Sequence, residues 1–173
     1  GLCLHDIFEH LDFTCPRNDD IASLVARKLE EYGFDPSWGM AVCDMIRNVL
    51  TAPLEPHRPG FTLSRIPNGD RLNELAFTFP LTRITPGELG RIFQGLGEGA
   101  VPEAGVTWTD RLQFSPVKGF MRGFMDLVFQ FEGRFYLVDW KSNFLGHGST
   151  AYDQAALMRT MDAHAYMLQY HLY

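Results

Sequence analysis

The stretch DLVFQFEGRFYLVDWKS, residues 126–142, is almost wholly apolar, yet it carries Asp126 at one end and Asp139 and Lys141 at the other. Glu132-Gly133 suits a two-residue hairpin loop, with the glycine supplying a positive φ. Such a loop sets Phe131 opposite Arg134 and, counting outward, Asp126 opposite Asp139, with Cβ atoms roughly 4.5–5.5 Å apart. Lys141 lies two residues beyond Asp139 and so projects from the same face. Like charges facing each other destabilise a sheet, and partial burial adds to the cost. Lys141 offsets one charge, and a hard divalent cation on oxygen ligands would offset two more. Two readings of these residues stay open. One is a metal-dependent phosphoryl-transfer centre. The other is a plain Asp139–Lys141 ion pair near a strand end, with Asp126 solvated.

The elements that must hold this patch can be read from periodicity. GLCLHDIFEHLDF has a helical stripe at Leu4, Ile7, Phe8 and Leu11. NDDIASLVARKLEEYGF reads as a second helix, opened by capping residues and closed near Gly33. PSWGMAVCDMIRNVLTAP reads as a third, with Pro36 near its start and Pro53 past its end. Residues 53–70, rich in Pro, Gly and Asn, read as loop. LNELAFTFPL alternates as a strand, with Leu75, Phe77 and Phe79 on one face and Glu74, Ala76 and Thr78 on the other. PGELGRIFQGLG is a short helix, EGAVPEAG a connection, and a long helix is expected from Ser149 onward. In the hairpin, Val128, Phe135 and Leu137 share one face, and Leu127, Phe129, Tyr136 and Val138 the other. Both faces are expected to be covered, as in a central strand pair. Helices before and after a small sheet give an α/β or α+β class, of which α/β is expected, in a single domain, residues 1–173.

Composition narrows the function. The chain has 173 residues, 46% hydrophobic and 21% charged, values of a folded globular domain. Its net charge of −6 is the wrong sign for a free-standing nucleic-acid binder. No apolar run is long enough to cross a membrane, and no signal peptide is visible, so a cytoplasmic location is expected. Cys3, Cys15 and Cys43 form neither a disulfide framework nor a zinc knuckle, and are expected to be reduced thiols. The chain opens without Met in helical register, and Ala151–Tyr173 contains no Gly or Pro, so it reads as a piece of a larger protein.

The run GFMRGFMDLVFQFEGRFYLVDWKSNFLG closely resembles the nuclease domain of the RecB family of helicase–nuclease subunits (exodeoxyribonuclease V, beta chain). Its pattern is G-x-x-x-G-x-x-D-L-(V/I)-F, followed after a short turn by D-(Y/W)-K-S-N. Gly119, Gly123, Asp126 and Asp139-Trp140-Lys141-Ser142-Asn143 fit it. The likeness continues through AYDQAALMRTMDAHAYMLQYHLY, with a Q-x-x-x-Y signature at Gln169 and Tyr173, and reaches LHDIFEHLDF at the front, where the family's histidine aligns with His5. The D…DxK core alone belongs to the broader PD-(D/E)xK nuclease superfamily.

The resemblance implies a restriction-endonuclease-like core, a small mixed sheet flanked by helices and truncated at its C-terminal end. It implies a Mg²⁺-dependent DNA exonuclease, with Mn²⁺ as a possible substitute. His5, Asp126, Asp139 and the main-chain carbonyl of Trp140 would ligate the metal. Lys141 would orient the attacking water, and Gln169 and Tyr173 would position the strand. ATP would be used only by motor domains, since no phosphate-binding G-x-x-x-x-G-K-(S/T) loop occurs here. Implied partners are DNA, RecC-like and RecD-like subunits and the RecA strand-exchange protein. The alternative is a nuclease-like module that docks those partners and is inactive in isolation. His10, His57, His147, His164 and His171 are expected at the surface or in loops, and Glu74 as a solvated strand residue. The cysteines do not match the iron–sulfur layout of some related nucleases.

Overall fold

The computed structural model describes residues 1–14, 17–88, 91, 117–164, 166 and 169. The three N-terminal helices form where the apolar periodicity calls for them. They are α1 (Leu2–His10), α2 (Asn18–Glu31) and α3 (Gly39–Thr51). In α2 the buried stripe is Ile21, Val25 and Leu29, four residues apart, and in α3 it is Cys43, Ile46 and Leu50. Gly33, at φ +70, ends α2, and the Phe34 N–H reaches back to the Leu29 carbonyl at 2.8 Å. The first residue of α2 is Asn18, but its cap position is Arg17, which makes no side-chain cap hydrogen bond and pairs instead with Asp20.

Three strands follow: β1 (Arg71–Ile84), β2 (Val117–Phe131) and β3 (Arg134–Val138), with β2 in the middle of the sheet. β2 and β3 are antiparallel in the expected register, from Phe131↔Arg134 to Leu127↔Val138. Both loop residues have positive φ, Glu132 at 49° and Gly133 at 74°, which is the two-residue turn whose twist matches the strands. The fold is therefore mixed α/β, with a small sheet.

The described chain divides into two compact units, Gly1–Ala76 with Phe124–Ser142, and Phe77–Gly123 with Asn143–Tyr173. The first contains the core. Ile7, Val25, Ile46 and Ile66 are wholly buried there, and Leu127 and Phe129 join them from β2. Each such side chain contributes about 1.5–3 kcal/mol by leaving water. The segment expected as plain loop also feeds this core, since Phe61, Leu63 and Ile66 are all buried. Arg58 anchors it, donating to Glu132 (2.6 Å) and to the Tyr136 hydroxyl (3.3 Å).

One expectation is corrected here. Only one face of the hairpin is well covered. Leu127 and Phe129 pack inward, whereas Phe135 is 72% and Leu137 45% exposed. Both faces are apolar in sequence, but the helices of this unit supply a cover for one. Leu75 is likewise exposed, while Phe77 and Phe79 on its face of β1 are half-buried.

In the second unit, Thr85 and Glu88 form a reciprocal cap. The Glu88 N–H donates to Thr85 Oγ1, and the Thr85 N–H to Glu88 Oε2, with Pro86 between them in the first helical turn. Gly123 lies against Phe77, and a Cβ added there would fall 2.4 Å from the ring. The expected helix from Ser149 starts later. Ser149–Tyr152 is a 3-10 turn, and α4 (Gln154–Ala163) begins only after Asp153, whose carboxylate accepts the Ala156 N–H at 2.7 Å. Among the described residues, no helix is long and apolar enough to cross a membrane.

Candidate active site

α1 and the open end of the hairpin meet in the first unit. Burial of Ile7 and Phe8 fixes the roll of α1 and leaves His5 half-buried, with Nδ1 3.5 Å from Asp126 Oδ2. Asp126 sits on β2 one residue beyond the last ladder pair, and its side chain is only 12% exposed. Its Oδ2 accepts the backbone N–H of Trp140 at 2.7 Å. The Trp140 indole stacks on Phe8, with centroids 4.6 Å apart and planes 19° from parallel. The strand exit at residues 139–141 is thus held at two points, one polar and one apolar.

Asp139 lies just past the end of β3, so the two carboxylates are not a ladder pair, although they take the next step of the same register. The Asp139 carboxylate accepts from the Lys141 amine. The anticipated ion pair therefore exists, but Asp126 is not solvated beside it. It is partly buried and hydrogen-bonded. Burial lowers the Lys141 amine below its ordinary pKa, against the upward pull of Asp126.

His5 and Asp126 are brought together as expected. The ligand atoms of His5, Asp126 and Asp139 do not all lie within 4.8 Å of one another. The chemistry of the set still suits a hard divalent ion. It offers two carboxylates and one imidazole, and Asp126 Oδ1 has no hydrogen-bond partner among the described residues. Gln169 is helical and half-buried in the second unit, and Tyr173 lies outside the described residues. Glu74 is exposed, at φ +51. Cys3 and Cys43 are free and buried, and Cys15 is outside the described residues.

Sequence reasoning missed a second ionic cluster. Asp6, Glu9 and His10 on α1 are close enough together to suggest a metal site. Asp6 is already committed, with Lys28 Nζ at 2.8 Å and His10 Nδ1 at 3.0 Å. Lys28 also reaches Glu31 at 2.9 Å. The only sequence signal was a lysine on the apolar stripe of α2, one residue before Leu29.

No family model matches the chain. It is similar over its whole length to curated proteins called RecBCD enzyme subunit RecB. It is 40% identical over 177 residues to that of Escherichia coli strain K12, covering 14% of that protein. It is 30% identical over 174 residues to that of Buchnera aphidicola subsp. Acyrthosiphon pisum, again covering 14%. For Haemophilus influenzae strain Rd the values are 28% over 173 residues and 13%. A mixed α/β fold with a carboxylate–lysine cluster at a hairpin exit is what the geometry defines. By descent, the chain is a homologue of one segment of the RecB subunit, spanning about one seventh of the curated relatives it matches.

Proposed function

We propose that this chain is the nuclease module of a RecBCD-type enzyme that processes DNA ends for repair, hydrolysing phosphodiester bonds in an exonucleolytic manner. The reading is supported by two pairs at the open end of one hairpin, His5 with Asp126 and Lys141 with Asp139, on a chain homologous to RecB throughout. His5, Asp126, Asp139 and the Trp140 carbonyl would hold Mg²⁺, with Mn²⁺ as a substitute. When bound, such an ion neutralises phosphate charge and lowers the pKa of water. Asp126 is kept in place by the Trp140 N–H and shields that amide from solvent competition. Lys141 presents an N–H donor to a phosphate oxygen or to the attacking water. It carries no lone pair while protonated, so it is not a ligand. Gln169 and Tyr173 would steady the strand.

With a net charge of −6, the chain would receive its strand from motor domains and from RecC-like and RecD-like subunits rather than capture it alone. The uncovered hairpin face with Phe135 and Leu137 supports a second reading, in which the module also docks a subunit or a RecA-type strand-exchange protein. The test is cleavage of end-labelled single-stranded DNA by the full polypeptide carrying this chain. Cleavage should require Mg²⁺ or Mn²⁺ and vanish on chelation and in Asp126→Asn. Metal-independent cleavage, or full activity of Asp126→Asn, would overturn the nuclease assignment.

A further inference from the structure

The second unit contains an open pocket of about 390 Å³ that none of the described site residues above lines. Asn143, Phe144 and Leu145 form one wall, and Arg159 and Thr160 of α4 with His164 just past its end the other. Its charge stands out against the rest of the chain. The chain has 21 acidic residues, yet among the described residues none that lines this pocket is acidic, and the one permanent charge among them is the Arg159 guanidinium. Arg159 has neither a hydrogen bond nor an ion pair among the described residues, whereas Arg17, Arg47 and Arg58 each hold a carboxylate. The Thr160 hydroxyl is already committed, donating to the Ala156 carbonyl at 3.0 Å.

The polar wall is oriented. The Tyr166 hydroxyl hydrogen-bonds Asn143 Oδ1 at 3.2 Å, which leaves the two amide N–H donors of Asn143 for another acceptor. Aromatic faces complete the lining. His164 stacks on Tyr166 with centroids 5.3 Å apart and planes 20° from parallel. Phe144 is 71% exposed at the rim. An unpaired guanidinium fork and a free amide suit phosphate oxygens, and exposed aromatic faces suit an unpaired base. The chain itself says whose phosphate: Asn143 follows Lys141 by two residues.

We propose that this pocket seats one nucleotide of the single DNA strand undergoing cleavage, its phosphate on Arg159 and the Asn143 amide and its base against Phe144 or the His164–Tyr166 pair. The proposal rests on the nuclease reading and makes Arg159 a positioning residue. A duplex is disfavoured, because a paired base presents no face to Phe144.

Two measurements on the full polypeptide decide it. In the first, single-stranded oligonucleotides carry one neutral methylphosphonate linkage, moved step by step from the cut. One position should raise KM about tenfold, the loss expected for one charge-assisted contact. Arg159→Ala should raise KM on the ordinary strand by a similar factor, with kcat within about twofold, and should lose its sensitivity to that position. Arg159→Lys should recover part of the affinity. An unchanged KM in Arg159→Ala, or a neutral-linkage effect that persists in it, overturns the subsite and leaves the nuclease reading standing. In the second measurement, a strand with a single 4-thiothymidine is photo-crosslinked without metal, so no cleavage is needed. Crosslinks should map to Phe144, His164 or Tyr166 and fall at least fivefold in Arg159→Ala. Crosslinks confined to other segments overturn the subsite even where the polypeptide fails to cut.

Discussion

Two lysines of the first unit each hold an aspartate, and their surroundings push them in opposite directions. Lys28 lies on the buried stripe of α2 and is met by Asp6 at 2.8 Å and Glu31 at 2.9 Å. These hydrogen bonds, that of Asp6 foremost, raise its pKa above the ordinary 10.5. Lys141 holds Asp139 at the end of the hairpin, and there burial prevails and lowers the amine. The first is a brace between two helices whose charge is fully answered by the protein. The second is a partly exposed cation at the hairpin exit, paired with Asp139 and lowered by partial burial against the pull of Asp126. The same two residue types thus make a scaffold in one place and a candidate reaction centre in the other. What separates them is the dominant influence on the amine: hydrogen bonds to carboxylates raise Lys28, and burial lowers Lys141.

The sharpest way to break this contrast is to exchange the losses. Lys141→Ala should lower DNA cleavage by about 10³-fold, the scale of removing one preorganised donor from a reaction centre, while Mn²⁺ affinity measured by calorimetry changes little. Lys28→Met should do the reverse, lowering the thermal midpoint and leaving cleavage near that of the parent. If Lys141→Ala loses metal as fully as Asp126→Ala, the division of roles is wrong.

Next in size is Phe8→Ala. Phe8 is buried and stacks on Trp140 from the helix that carries both Asp6 and His5. Truncation should cost about 3–5 kcal/mol in urea unfolding. It should also depress cleavage, because the stack orients residues 139–141. A loss of stability with no kinetic effect would show that the strand exit is positioned without that ring.

Asp126→Ala follows at about 1 kcal/mol of stability, the value of one hydrogen bond to the Trp140 N–H. Asp126→Asn should recover most of it, since an amide oxygen still accepts, yet remain inactive. A gain in stability for Asp126→Ala would mean that repulsion from Asp139 outweighs the hydrogen bond.

The smallest effect is a pH signature. Lys28 holds the Asp6 carboxyl below its ordinary 3.8. A group with a lowered native pKa stabilises the fold above its unfolded value and ceases to do so as pH falls through the native one. A group with a raised native pKa stabilises below its unfolded value and is lost as pH rises through the native one. The Asp6–Lys28 contribution is therefore constant between the two ordinary values, 3.8 and 10.5, and fades outside them. Thermal midpoints of the parent chain and Lys28→Met should differ steadily across that window and converge toward the acid end. A gap that widens below pH 4 would contradict the assignment.

Features of the molecule differ in how legible they are in the sequence. The hairpin register was legible because a Glu-Gly turn leaves one natural pairing, and the ladder follows it as far as Leu127↔Val138. Helix positions were legible from period alone. Coverage was not: apolar residues at Phe135 and Leu137 declare a capacity for burial, while the supply of a covering layer is a property of the whole fold. The start of α4 could have been placed at Asp153, a good N-cap; the expectation set it at Ser149, where the chain instead makes a 3-10 turn. The Asp126–Trp140 hydrogen bond, the Phe8–Trp140 stack and the Asp6–Lys28 pair join residues 14 to 132 positions apart, and no local pattern announces them. His164, expected at the surface, is exposed as anticipated, yet it lines a pocket with Arg159 that only the folded chain reveals.

The contact between Gly123 and Phe77 has a consequence for how such a chain can change over generations. A methyl group at position 123 would fall 2.4 Å from the Phe77 ring, nearer than a Cβ comes to a non-bonded neighbour. Replacing Gly123 first is therefore penalised. Replacing Phe77 by a smaller residue first would make room and turn the same second step from harmful to neutral. The two positions are coupled: a side chain at 123 requires the Phe77 ring to shift or to give way to a smaller residue. A library randomised at both sites and selected for soluble expression should return side chains at 123 only in company with small ones at 77.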